Sequence, residues 1–147
     1  MLQLKGKTAL VTGASSGIGL ALARSLATRG MNLILTARSE NKLNELAADL
    51  QKRGVNVQIF TSDLSQKGAA ENLFEQVAQA GLQVDLLINN AGFGKWGEFL
   101  EFNREQYAEM LQLKINALTE LCHLFIPGML KRGEGGSSNV GSTASFV

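Results

Sequence analysis

A glycine-rich turn follows a short apolar segment near the start of the chain, residues 8–11. Its glycines are Gly13, Gly17 and Gly19. The spacing Gly-x-x-x-Gly-x-Gly permits a sharp turn, a close approach of the backbone to a ligand, and close packing of the next helix on the strand. Such a helix start directs unpaired N–H groups and the positive end of its dipole at the ligand. The pattern predicts a strand, a turn and a helix that together bind a diphosphate.

The turn reads Thr-Gly-Ala-Ser-Ser-Gly-Ile-Gly from Thr12 to Gly19, and this spacing differs from the Gly-x-Gly-x-x-Gly of long dinucleotide-binding dehydrogenases. It resembles the cofactor loop of the short-chain dehydrogenase/reductase family. An ordinary tight connection between strand and helix is the alternative, and the motifs further along the chain favour the cofactor loop. The resemblance implies that one set of residues holds the cofactor phosphates: Gly13, Ser15, Ser16, Gly17, Ile18 and Gly19.

Arg38 stands just after a second predicted strand, residues 32–36. An acidic residue at this place would bind the ribose hydroxyl of NAD, whereas an arginine favours the 2′-phosphate of NADP. A guanidinium can donate two N–H groups to a phosphate and stack its flat face on adenine. We therefore expect NADP(H), rather than NAD(H), as the cofactor. A solvated arginine just before a helix is the alternative interpretation.

The pair Asp63-Leu64 follows a third predicted strand, residues 55–61. An aspartate in such a turn is as often a local cap as a ligand contact. In the family that the sequence resembles, an Asp-Leu pair at the end of the third strand borders the adenine. The resemblance therefore implies that Asp63 and Leu64 contact the adenine end of the cofactor.

A fourth predicted strand, residues 85–89, runs into Asn90, Ala91 and Gly92. Two consecutive asparagines, Asn89 and Asn90, are costly at the end of a buried strand unless their amides are paired. Asn-Asn-Ala-Gly is similar to the family motif that stabilises the central sheet and borders the cofactor. The resemblance therefore places Asn90, Ala91 and Gly92 in the cofactor site. A simple turn that closes the strand is the alternative.

Two residues stand where the family has active-site groups. Asn116 lies in a long helix predicted over residues 103–132, at the place of an asparagine that joins the active site through a bound water. Ser142 lies in residues 139–145, a segment similar to the family's fifth strand. The match implies that Ser142 hydrogen-bonds the substrate oxygen.

The chain departs from the family after Ser142. Family members carry a Tyr-x-x-x-Lys pair beyond the serine, and this pair transfers the proton. The single tyrosine here, Tyr107, is followed four residues later by Leu111. Residues 135–139, just before the serine, also lack the aliphatic run of a central parallel strand. We therefore expect the sequence to be an incomplete version of a longer enzyme.

The composition limits the class of protein. With 147 residues and 45% hydrophobic content, the chain is long and apolar enough for one domain with a real core. A formal net charge of +1 provides no basic face for nucleic acid and no polybasic patch for a membrane. Cys122 is the only cysteine and His123 the only histidine, so we expect no disulfide and no metal site. A cytoplasmic protein without a membrane-spanning segment is expected.

Strand and helix signals alternate along the chain, which predicts an α/β fold with a doubly wound parallel sheet. Residues 1–147 are expected to form a single NADP-binding domain of the Rossmann type, with strand order 3-2-1-4-5, truncated after the fifth strand. The resemblance implies an oxidoreductase that transfers hydride between NADP(H) and a small carbonyl or alcohol substrate, as a homodimer or homotetramer. A module that binds NADP without turnover, or an inactive fragment, is the alternative.

Overall fold

The computed structural model of the chain describes residues 3–93 and 97–141. Strands in this part of the chain are β1 (Thr8–Thr12), β2 (Asn32–Ala37), β3 (Val57–Thr61), β4 (Leu86–Asn89) and β5 (Gly136–Asn139). They form one parallel sheet in the order β3-β2-β1-β4-β5. The predicted α/β class and the predicted strand order are both confirmed.

Helices cover both faces of the central strands. Within the described residues they are α1 (Gly17–Thr28), α2 (Glu40–Gln51), α3 (Ala69–Gln79), α4 (Arg104–Leu111) and α5 (Ala117–Arg132). Alternate residues of a strand face opposite sides of the sheet. Ala9 and Val11 of β1 pack with α1 and α2, while Leu10 packs with α3 and α5. Burial on both faces explains why the three middle residues of β1 are all apolar.

The register of the sheet brings four strand ends to one edge. Thr12 of β1 pairs with Thr36 of β2, and Thr36 pairs with Phe60 of β3. On the other side of β1, Val11 pairs with Ile88 of β4. Because the strands are parallel, the segments that follow them leave the sheet side by side. The predicted cofactor residues all lie in these four segments.

The fifth strand forms although its sequence lacks an aliphatic run. β5 pairs with β4 from Leu86 opposite Gly136 to Asn89 opposite Asn139. Most of its residues are exposed, Ser137 among them. The pairing uses backbone N–H and C=O groups, and β5 is the edge strand of the described sheet, so its side chains need not be apolar.

The long helix predicted over residues 103–132 is present with one interruption. A capping box begins it, because the Asn103 and Gln106 side chains each accept a hydrogen bond from the other residue's backbone N–H. A π turn, Gln112–Asn116, separates α4 from α5. Turns of this kind change the direction in which following side chains point and are frequent at functional sites.

Candidate functional site at the carboxyl ends of the strands

A cavity of about 1000 Å³ opens at the carboxyl ends of the strands. The segments after β1, β2, β3 and β4 line it, together with residues from β5 and the π turn. Open parallel sheets bind their ligands in this crevice, where the strand order reverses. The predicted cofactor residues that line it are Gly13, Ser15, Ser16, Gly17, Ile18, Arg38, Asp63, Leu64, Asn90, Ala91 and Gly92.

The turn after β1 depends on two glycines with left-handed backbone conformations. φ is +63° at Gly13 and +52° at Gly17, a region in which side chains cause strain. α1 begins at Gly17, and the side chain of its N-cap residue, Ser16, makes no capping hydrogen bond. The first N–H groups of a helix have no partners within the helix itself. Because Gly17 and Ile18 line the cavity, these N–H groups could bind an anion there.

Gly19 lies behind the turn and does not line the cavity. A Cβ at this position would overlap the carbonyl oxygen of Gly13 and the side-chain nitrogen of Asn90. A Cβ at Gly13 would in turn come within 3.0 Å of the Ala91 Cα. The third glycine of the motif therefore allows α1 and the segment after β4 to approach the turn closely.

Thr12 and Asn90 join the ends of β1 and β4. The buried Thr12 hydroxyl accepts hydrogen bonds from the backbone N–H groups of Asn90 (3.0 Å) and Ala91 (2.9 Å), and it donates to the Ile88 carbonyl at 3.3 Å. The Asn90 side-chain amide donates to the carbonyl oxygens of Thr12 (3.1 Å) and Gly13 (3.2 Å). These bonds fix the glycine turn against the Asn-Asn-Ala-Gly motif.

Asn89 connects β4 to β5 and α5. Its side-chain nitrogen donates to Asn139 Oδ1 at 2.9 Å and to Cys122 Sγ at 3.2 Å. The side chain is buried, and its Oδ1 atom has no hydrogen-bond partner among the described residues. The Asn89 amide thus stabilises the sheet, as the resemblance implies for this motif. The Asn90 amide stabilises the glycine turn.

Charged side chains line the cavity next to β2 and β3. Arg38 and Lys42 lie at the start of α2, and Asp63 lies in the turn after β3. Partial burial raises the pKa of Asp63, but hydrogen bonds from the Ser65 hydroxyl and backbone N–H outweigh burial and hold this pKa below its ordinary value. The charge of Arg38 acts in the same direction. Asp63 is therefore both a local cap and a carboxylate that faces the cavity.

The two predicted active-site residues are placed differently from the cofactor residues. Asn116 ends the π turn with an exposed side chain that donates to Gln112 Oε1 at 2.8 Å. It does not line the cavity, whereas Lys114 of the same turn does. Ser142 lies outside the described residues. Tyr107 does not line the cavity either, and its hydroxyl donates to the Phe99 carbonyl at 2.8 Å.

Sequence analysis missed three residues that the structure places at or beside the cavity. Thr12 was part of the motif but received no role, because its partners are 76 to 79 residues away in the sequence. Lys42 lies in the first turn of the helix that follows Arg38, and this position could have identified it. Lys114 contacts the position of Gly92, where a Cβ would lie 3.3 Å from the lysine Cε. No sequence signal distinguishes Lys114 from an ordinary exposed lysine.

Within residues 3–93 and 97–141, no three His, Cys, Asp or Glu side chains come together as a metal site requires. No helix in these same ranges has the length and apolar character needed to cross a lipid bilayer.

Known proteins are similar to this chain in both sequence and fold. A fatty acyl-CoA reductase from Acinetobacter baylyi is 36% identical over 141 residues, which are 95% of this chain and 48% of the relative. The structure of a short-chain dehydrogenase from Sphingobium yanoikuyae in complex with NADPH superposes with a TM-score of 0.88 at 34% identity, over 96% of this chain and 56% of that one.

L-Sorbose reductase from Gluconobacter frateurii, solved with NADPH and L-sorbose, gives a TM-score of 0.89 at 33% identity. The match covers 98% of this chain and 56% of the reductase. The chain thus spans about half the length of the relatives it matches. The model of the family described as short chain dehydrogenase matches residues 7–147. This match extends over nearly the whole sequence, and the chain belongs to the short-chain dehydrogenase family.

Proposed function

We propose that the chain is the cofactor-binding portion of an NADP(H)-dependent oxidoreductase that interconverts a carbonyl and an alcohol. One observation carries this proposal: the glycine turn and Arg38, which follow the neighbouring strands β1 and β2, line a single cavity. A dinucleotide with a diphosphate in its middle and a phosphate on its adenosine ribose matches this arrangement of binding groups. The two relatives solved with NADPH provide independent support.

The residues present fit such a cofactor. A Cβ at Gly17 would lie in open space, and Gly17 lines the cavity, so the missing side chain at this position leaves room for a diphosphate beside the first N–H groups of α1. Arg38 would bind the 2′-phosphate, and Asp63 with Leu64 would border the adenine. The backbone after β4, from Asn90 to Gly92, would contact the ribose. When bound, the nicotinamide supplies or accepts the hydride.

In this proposal, some residues of the chain stabilise the cofactor turn and others contact the substrate. Thr12 and Asn90 hold the turn in shape before the cofactor arrives, because their hydrogen bonds are made within the protein. Ser142 would donate a hydrogen bond to the substrate oxygen, and Asn116 would support the active site through a water. Hydride transfer to a carbonyl leaves an alkoxide that requires a proton. None of the described residues is proposed to transfer this proton.

A module that binds NADP(H) without turnover is the second candidate. The position of Tyr107 favours this candidate. Its hydroxyl donates a hydrogen bond to the Phe99 carbonyl, and the residue four positions later is Leu111 instead of a lysine. Tyr107 also lies outside the lining of the cavity, so its hydroxyl is not placed to exchange a proton with a substrate bound there. Activity with ketones separates the two candidates.

Fluorescence titration of the chain with NADPH and NADH tests the proposal. We expect saturable NADPH binding that Gly17→Ala weakens by at least about 10-fold, because a Cβ and a changed backbone would disturb the diphosphate site. Gly54→Ala is the matched control, since Gly54 has φ +80° but lies in the turn before β3, away from this cavity. Equal loss of binding in both variants, or no saturable NADPH binding, would contradict the proposal. Binding without consumption of NADPH in the presence of ketones would favour the non-catalytic module.

A further inference from the structure

Lys42 lines the same side of the cavity as Arg38. Arg38 precedes Ser39, the N-cap residue of α2, and Lys42 is the third residue of that helix. Both side chains come from the segment after β2 and line this cavity. The two cations therefore lie at the end of the cavity where the adenosine is proposed to bind.

Lys42 lies in the first turn of α2, which also contains the acidic residue Glu40. A cation in the first turn of a helix opposes the positive end of the helix dipole. Among the described residues, neither Arg38 nor Lys42 forms an ion pair with a carboxylate, since the pairs present involve Lys7, Arg24, Arg53 and Arg132. The side chain of Ser39 makes no capping hydrogen bond to α2. This end of the cavity therefore has two cations and one carboxylate, Asp63, together with the Ser39 hydroxyl and the amide groups of a helix start.

We propose that Lys42 is a second specificity-determining residue, which binds the 2′-phosphate of NADP(H) together with Arg38. A phosphomonoester carries close to two negative charges at neutral pH, and one guanidinium neutralises only one of them. Lys42 supplies the second positive charge, and the Ser39 hydroxyl supplies a further donor. This inference rests on the proposed function and assigns a role to a residue outside the glycine motif and the arginine position.

Calorimetric titration with 2′,5′-ADP and 5′-AMP tests the proposal without requiring catalysis. These two probes differ only in the 2′-phosphate. We expect Lys42→Gln to weaken binding of 2′,5′-ADP by about 5- to 10-fold and to change binding of 5′-AMP by less than about twofold. Lys42→Arg should retain most of the affinity. Lys52→Gln, at the exposed C-terminal end of the same helix, is the control and should bind both probes as the parent chain does.

The outcomes distinguish this inference from the proposed function. If the parent chain prefers 2′,5′-ADP but Lys42→Gln leaves that preference unchanged, or weakens both probes equally, the role of Lys42 is wrong and the NADP site stands. If the parent chain binds 2′,5′-ADP no more tightly than 5′-AMP, both the NADP preference and the role of Lys42 are wrong. Thermal unfolding of each variant confirms that the compared chains are folded.

Discussion

The side-chain amide of Asn90 donates a hydrogen bond to the carbonyl oxygen of Gly13 at 3.2 Å, although 77 residues separate them in the sequence. The same amide lies where a Cβ on Gly19 would have to be. Three parts of the chain, the turn after β1, the start of α1 and the segment after β4, therefore meet at one point. The shape of the glycine turn depends on this contact as well as on its own sequence.

Gly19→Ala is expected to destabilise the protein by about 2 kcal/mol, because the added methyl group overlaps backbone and amide atoms that cannot both move away. Gly128→Ala is the matched control. Gly128 also lies within a helix, but a Cβ there meets only the flexible end of Arg132 at 3.2 Å, so this change should be neutral or slightly stabilising. Urea unfolding of both variants makes the comparison, and equal free energies of unfolding would contradict the packing role of Gly19.

Thr12→Val should cost about 2 to 3 kcal/mol, since it keeps the shape of the side chain but leaves two N–H groups and one carbonyl without their partner. Thr12→Ser should restore most of the lost stability because it restores the hydroxyl. Thr119→Val is the control, because the exposed Thr119 hydroxyl loses only one hydrogen bond, to the Ile115 carbonyl of the preceding turn. The free energy of unfolding should change by no more than about 0.5 kcal/mol in this variant. Chemical denaturation measures all three, and a harmless Thr12→Val would show that the hydroxyl does not join the strands.

The lining of the cavity by the segments after β1, β2, β3 and β4 could be predicted from the sequence because each motif follows a local rule. The positions of Gly13 and Gly17 follow from the backbone conformations that a tight turn demands, and Arg38 follows from its place after a strand. The role of Thr12 could not be predicted in this way. Its partners lie on another strand, and only the pairing of β1 with β4 brings them within hydrogen-bond distance.

Two features of the second half of the chain also escaped prediction. β5 forms from glycine, serine and asparagine because the edge of β4 offers backbone partners, a tertiary effect that side-chain patterns do not record. The π turn at Gln112–Asn116 interrupts a helix whose apolar spacing is otherwise continuous. An extra residue in one helical turn leaves no distinctive composition.

Asp63→Asn should lower stability at neutral pH and have no effect in acid. Burial raises the pKa of Asp63, but the Ser65 hydrogen bonds and the Arg38 charge hold it below the ordinary value of 3.8. A lowered pKa means that the ionised carboxylate stabilises the folded state above that value, and that this contribution disappears as the pH falls through the folded-state pKa. The free energies of unfolding of the two proteins should therefore differ at about pH 6 and converge at about pH 2. A difference that widens in acid would contradict the assignment.

Arg38→Asp should shift cofactor preference from NADPH toward NADH. The carboxylate would repel the 2′-phosphate and accept hydrogen bonds from a free ribose hydroxyl, so NADPH binding should fall by at least about 30-fold while NADH binding is retained or improves. Arg104→Asp is the control, because Arg104 is an exposed residue at the start of α4 that does not line the cavity. Fluorescence titration with both cofactors measures the ratio. An unchanged ratio in Arg38→Asp would show that this guanidinium does not bind the 2′-phosphate.

A crystal structure of the chain grown with NADPH tests the central claim most directly. The account predicts density for the diphosphate against the first N–H groups of α1, beside Gly13 and Gly17, with the 2′-phosphate between Arg38 and Lys42. Density for the cofactor anywhere else on the protein, or a glycine turn closed by its own side chains beside an empty cavity, would contradict it.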